Sequence, residues 1–155
     1  RHEITTEGGL DVLSQEARLK DVIGRLADAG IVTSVFIDAE VEQIEAAARI
    51  GARVCEIHTG PYAHAFHAAG RDAEAPAVLA ELDKIRSAGE AVRRLGMRFN
   101  AGHALNYYNV QPIARLQGIR ELHIGHAIVS RAVFVGLRAA VAEMKRLMRE
   151  AAQQA

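Results

Sequence analysis

Residues 47–59, AARIGARVCEIHT, decide the fold. A helical pattern stops at Gly51, and an apolar run starts at once and ends in polar residues. The same grammar recurs in LADAGIVTSVFID (26–38), VRRLGMRFNAG (92–102) and RLQGIRELHIG (115–125), where the glycines are Gly30, Gly96 and Gly118. Glycine is favoured just past a helix end because it enters the left-handed region without a Cβ penalty. A helix followed directly by a strand, four times over, predicts parallel pairing through right-handed crossovers.

Working outward, the strands are expected at 31–37, 53–58, 97–101 and 120–124. Apolar residues at three- and four-residue spacing predict helices over 14–29, 40–50, 75–95 and 132–152. A shorter helix is expected at 110–117, and GHAIVSRAVFVGL (125–137) reads as a short helix before the last one. TGPYAHAFHAAGRDAEAP (59–76) reads as an irregular stretch folding over the end of its strand. No stretch resembles a linker, so residues 1–155 are expected to form one domain.

Composition narrows the function classes. Of 155 residues half are apolar and a quarter charged, and 19 Lys and Arg balance 19 Asp and Glu. Such a chain carries no basic field for nucleic acid or an acidic membrane surface. No apolar run approaches the roughly 18–20 residues of a membrane span. Cys55 is the only cysteine, which excludes an internal disulfide and favours a reducing, cytoplasmic setting.

Polar residues gather where each strand ends: Asp38; Glu56, His58, Thr59 and Gly60; Asn100, Gly102 and His103; Gly125 and His126. In parallel α/β folds the carboxyl ends of the strands hold the site. No G-x-G-x-x-G or Walker pattern accompanies the first strand, which argues against a doubly wound sheet. A closed (β/α)8 barrel takes about 250 residues. Four strands therefore read as a fragment, about half, of a TIM barrel, with RHEITTEGGLDVLSQEARL (1–19) resembling a loop that leaves a missing strand and leads into the first helix.

Glu56 and His58 share strand parity and should point to the same side. Glu56 is either a working carboxylate or the partner of an Arg or His on a neighbouring strand, since an unpaired buried carboxylate is costly. His103, at the mouth of the next strand, is suited to proton transfer near neutral pH or to a loop hydrogen bond. Gly125-His126-Ala127 opens a helix, where free N–H groups bind phosphate or where glycine merely serves a turn. Glu56, His58, His103 and His126 could in principle hold a divalent metal, as in barrel hydrolases, but no H-x-H or H-E-x-x-H spacing supports it, and no metal is assigned. His64 and His67 are expected to be solvated, His123 to face the helices, and Cys55 to pack as a small apolar group.

At TTEGGLDV (5–12), FIDAE (36–40), EIHTGPYA (56–63), NAGHALNYYNV (100–110), ELHIGHAIVSRAV (121–133) and AVAEMKRLM (140–148), the chain resembles the pyridoxine 5′-phosphate synthase family. The resemblance covers essentially the whole chain. It implies a (β/α)8 barrel with extra helices, assembled as an octamer, that needs no cofactor. It also implies condensation of 1-deoxy-D-xylulose 5-phosphate with 3-amino-2-oxopropyl phosphate to pyridoxine 5′-phosphate, inorganic phosphate and water. By this resemblance Thr5 binds deoxyxylulose phosphate, Glu56 stabilises a transition state, His103 donates a proton, and Gly125 with His126 binds the aminoketone phosphate. Where the family has a phosphate-binding glycine, this chain has Ala104, which is penalised if its φ is positive. The family's other two proton-transfer residues, a histidine and a glutamate, belong to early strands absent from these residues. The resemblance therefore implies an N-terminal half as partner and a chain that is inactive alone, while the residue reading keeps a non-catalytic phosphate-binding module open.

Overall fold

The computed structural model describes residues 8–153. Four strands, β1 (Ser34–Ile37), β2 (Val54–His58), β3 (Arg98–Gly102) and β4 (Ile119–His123), form one parallel sheet in sequence order. Among the described residues seven α-helices accompany them, α1 (Glu16–Asp28), α2 (Val41–Arg49), α3 (Gly60–Ala68), α4 (Pro76–Arg94), α5 (Val110–Ala114), α6 (His126–Val135) and α7 (Leu137–Ala152), with a 3-10 turn at Leu13–Gln15 before α1. Neighbouring parallel strands joined by helices in strict order form the arc of a (β/α)8 barrel.

Gly51 shows how each unit turns from helix to strand. Its φ is +87°, and the N–H of Ala52 reaches back to the carbonyl of Ala47 at 3.1 Å, closing the end of α2. Gly96 repeats the device, with Met97 N–H donating to Val92. Gly30 does the same, with Ile31 N–H donating to Leu26, but Ile31 and Val32 are exposed and β1 starts at Ser34 rather than at residue 31.

The sheet has two unlike faces. Val35, Ile37, Cys55, Ile57, Phe99 and Ala101 point to the helices and join Ile44, Ile85, Val92 and Ile113 in one apolar cluster. Burial, with Glu56 next in sequence adding to it, pushes the Cys55 thiol up to about 12, so it packs as an apolar group. The opposite face carries Phe36 and the polar residues Glu56, His58, Asn100, Glu121 and His123. Each strand thus alternates between core and site.

Two expectations need correction. Residues 60–68 are helical, not irregular. Gly60 and Pro61 signal a break, yet they occupy a first turn, where proline's missing N–H is harmless. Tyr62 and Phe66, four apart, are buried, and the Tyr62 hydroxyl donates to the Asn109 carbonyl at 2.9 Å. His64 and His67 are exposed on the outer side of this helix, as expected. The last helix begins at Leu137 rather than 132, because Gly136 at φ 81°, ψ 150° breaks it from α6. The remaining helices keep their expected places with trimmed ends, α5 stopping at Ala114. Among the described residues no helix is long and apolar enough to cross a membrane.

Candidate active site

Glu56 stands in the middle of β2, and its register neighbour on β3 is Asn100. Its carboxylate nevertheless reaches past β3 to His123 of β4, with Oε2 2.6 Å from Nδ1. Gly102 makes this possible. A Cβ at that position would lie 2.3 Å from Glu56 Oε1 and 3.0 Å from the His123 Cβ. The absent side chain is the slot through which the two strands meet.

His123 is the residue that the sequence reading misplaces. It was expected among the helices and lies on the site face instead. A register shift between Phe99 and Asn100 sets Phe99 opposite Ile119 but Asn100 opposite Glu121, so β4 gains one residue at Arg120. Such a bulge turns the side chains that follow it to the other face. The signal was available: Leu122 and Ile124 pack toward the core, so alternation leaves Glu121 and His123 opposite. Asn100 Nδ2 donates to Glu121 Oε2 at 3.3 Å, and that oxygen lies 3.5 Å from His123 Nε2. Burial draws the His123 pKa down, but hydrogen bonding and charge from Glu56, then from Glu121, outweigh it and raise the pKa.

His58 lies on the same face as Glu56, as parity requires, but serves a different partner. Its Nδ1–H donates to Asp38 Oδ1 at 2.7 Å. Among the described residues its Nε2 is buried without a hydrogen-bond partner and faces Gly60, whose Cβ would come within 2.3 Å of it. Phe36, His58 and His103 form a triangle of rings at the strand ends, with centroids 5.0 Å apart for Phe36 and His58, 5.0 Å for His58 and His103, and 6.2 Å for Phe36 and His103. His58 therefore braces His103, and the four groups weighed as metal ligands are not gathered. Among the described residues no cluster of three or more His, Cys, Asp or Glu is disposed to hold a metal ion.

After β3 the backbone takes an unusual path. His103 and Ala104 have φ of 80° and 58°, in the left-handed region. Thr59 pins the turn: its N–H donates to Gly102 O at 2.8 Å, and its hydroxyl lies 2.6 and 2.5 Å from the carbonyls of Gly102 and His103. Asn109 closes the other side, donating to Ala104 O at 3.2 Å and accepting from Asn106 N–H at 2.7 Å. Strain of this kind persists where the surroundings over-determine it.

Gly125 caps α6, and the first helical bond there runs from Val129 N–H to Gly125 O. The amides of His126, Ala127 and Ile128 have no acceptor within the helix, an arrangement suited to an anion. These pieces meet. Glu56, His103, Ala104, His123, Gly125 and His126 line one cavity of about 920 Å³, with Phe36 and Leu105 among its apolar walls. Thr5 lies outside the described residues. Gly9 sits against the backbone of Ile37 and Asp38, and Leu10 N–H donates to Phe36 O at 2.8 Å.

The chain is similar to known proteins along nearly its whole length. The chain is 88% identical over 152 residues to the pyridoxine 5′-phosphate synthase of Azoarcus sp. (strain BH72), a match covering 98% of this chain and 61% of the relative. It is 84% identical over 154 residues to that of Dechloromonas aromatica (strain RCB), covering 99% and 61%. That of Magnetococcus marinus (strain ATCC BAA-1437 / JCM 17883 / MC-1) is 54% identical over 151 residues, covering 97% and 59%. The chain thus spans about three fifths of the length of these relatives. Residues 1–150 match the family model described as pyridoxal phosphate biosynthesis protein PdxJ. With four ordered parallel strands, a polar inner face and that match over nearly its whole length, this chain belongs to the PdxJ family.

Proposed function

We propose that residues 1–155 form one unit supplying the C-terminal part of a pyridoxine 5′-phosphate synthase, which condenses 1-deoxy-D-xylulose 5-phosphate with 3-amino-2-oxopropyl phosphate. The observation that carries this reading is convergence: Glu56, His103, Ala104, Gly125 and His126, on three different βα units, line a single cavity. Its size is within the range of about 300–1,000 Å³ usual for small-molecule sites.

In this reading the amides at the start of α6, with Gly125 and His126, hold the aminoketone phosphate beside Ala104. Thr5 contacts deoxyxylulose phosphate. His103 donates a proton to a departing oxygen, a step worth typically 10²–10⁴-fold. Glu56 stabilises positive charge that develops as the amine attacks and water leaves. Glycine at 102 and the Thr59 pin keep the carboxylate and the imidazole on the same wall. No cofactor or metal enters this reading. The balanced charge of the chain argues against nucleic acid or membrane as partner, and the lone buried cysteine suits the cytoplasm.

The family's first proton-transfer residues are not among these 155 residues, so the chain alone is expected to bind phosphate without turnover. We further read it as part of a homo-oligomer, an octamer by family resemblance, completed by an N-terminal half of the barrel. β1 and β4 are sheet edges, and α6 exposes Val129, Val133 and Phe134. The test is product formation from the two substrates by a full-length polypeptide carrying this sequence. Glu56→Gln and His103→Asn are expected to lower kcat at least a hundredfold. Full activity in either variant refutes the assigned roles, and a sharp monomer in sedimentation at micromolar concentration refutes the assembly.

A further inference from the structure

We propose that His123 is the positioning residue of Glu56: clamped between two carboxylates, it holds the Glu56 side chain across the Gly102 slot at the cavity wall. The proposal rests on the reading of Glu56 as the transition-state carboxylate.

The clamp is built from three strands. Glu56 Oε2 of β2 lies 2.6 Å from His123 Nδ1, the short separation of a charge-assisted hydrogen bond. Glu121 Oε2 lies 3.5 Å from His123 Nε2 on the other side, and Asn100 of β3 donates to that same oxygen at 3.3 Å. A neutral imidazole has one N–H and can satisfy only one carboxylate, whereas an imidazolium donates from both nitrogens. The arrangement therefore favours the charged ring, whose Nδ1–H holds the Glu56 carboxylate against the cavity wall.

Position follows from the same contacts. Glu56 Oε2 is bound to His123, and Oε1 rests against the Cα of Gly102. A carboxylate bonded at one oxygen and hemmed in at the other keeps little orientational freedom, which is the condition for electrostatic stabilisation of a developing charge. His103 does not share this task. Its ring packs on His58, which is tied to Asp38. The site thus has two separately braced groups, a proton donor held through β1 and β2 and a carboxylate held through β4.

The titratable groups around the clamp are Glu56 from β2, Glu121 from β4 itself, His103 after β3 and His126 from α6. Nitrogen-detected NMR of the ring nitrogens across pH separates His123 from the other two histidines. In the full-length polypeptide carrying this chain, Glu56→Gln and Glu121→Gln should each make His123 lose its proton at lower pH, Glu56→Gln by more. Loss of one hydrogen bond to a charged group corresponds to about tenfold to a hundredfold. His123→Ala is therefore expected to lower kcat by that factor, with KM for both substrates changed less than threefold. His123→Asn keeps a donor toward Glu56 without the titrating charge, and should restore most of kcat while removing the alkaline limb that His123 contributes to the pH profile.

An unshifted His123 titration in Glu56→Gln overturns the clamp. Undiminished turnover in His123→Ala, in a wild-type protein that makes product, overturns the positioning role alone. A wild-type protein that makes no product refutes the proposed reaction itself.

Discussion

Gly102→Ala is the substitution through which the structure exposes itself most directly. The added Cβ would stand 2.3 Å from Glu56 Oε1, 3.0 Å from the His123 Cβ and 3.1 Å from the His123 carbonyl oxygen. The carboxylate is the only one of the three able to swing away, and it must retreat roughly 1 Å to reach an ordinary contact of about 3.5 Å. A shift of that size takes the 2.6 Å bond to His123 to the edge of hydrogen-bond range. A hydrogen bond to a charged group is worth about 1.5–3 kcal/mol. The His123 side chain is 44% exposed, so screening reduces the loss to about 1 kcal/mol. For a chain of this length that lowers the melting temperature by about 2–4 °C.

The effect on chemistry should be much larger than the effect on stability, since a misplacement of about 1 Å can cost 10²-fold. Two assays decide it: thermal unfolding of wild type and variant, and product formation by the full-length polypeptide with and without the substitution. A small drop in melting temperature with a large fall in kcat is the expected pair. Turnover within twofold of wild type would refute the claim that Gly102 is the slot that lets Glu56 reach β4. A loss of stability beyond about 4 kcal/mol would refute the claim that the carboxylate, rather than the backbone, gives way.

Three further outcomes follow from the same geometry. Ala104→Gly relieves a left-handed residue at φ 58°; that conformation costs about 1–2 kcal/mol, partly offset by glycine's added freedom in the unfolded chain of about 0.4–1 kcal/mol. A net gain of roughly 0–1.6 kcal/mol in urea denaturation is expected, and a loss would contradict the strain assigned there. Asp38→Ala leaves both nitrogens of the buried His58 without partners; it should cost about 1–3 kcal/mol and broaden the His103 ring signals, whereas an unchanged denaturation midpoint would show that the pair bears no load. Because the folded pKa of His123 is raised, its contribution to stability is complete below its unfolded value near ~6.5 and is lost as pH rises through the folded pKa. The difference in melting temperature between wild type and His123→Ala should accordingly shrink on going from mildly acidic to alkaline pH, and a constant difference would remove the linkage.

The order of elements was readable because it depends on local chemistry. Gly51 and Gly96 end their helices for a reason contained in the residue itself, and the apolar runs that follow can only be strands buried on one face. The polar residues at strand ends were readable for the same cause, since alternation commits one side of each strand to the core and leaves the other free. Cys55 in the core, with Glu56 beside it on the opposite face, is the clearest case. Helix α3 was hidden because Gly60 and Pro61 signal a break anywhere except in a first turn, and only its packing on α4 and Asn109 shows which applies.

What the sequence by itself determined was therefore the set of units, their parallel order and the end of the sheet where chemistry gathers, all consequences of periodicity and of glycine's backbone freedom. Tertiary structure alone decided the partnerships. The bulge at Arg120 set His123 beside Gly102, the missing side chain of Gly102 let Glu56 cross a strand to meet it, and Thr59 held His103 and Ala104 in left-handed backbone. Each of these depends on distances between residues tens of positions apart, and those distances are set by register and packing rather than by any local preference of the chain.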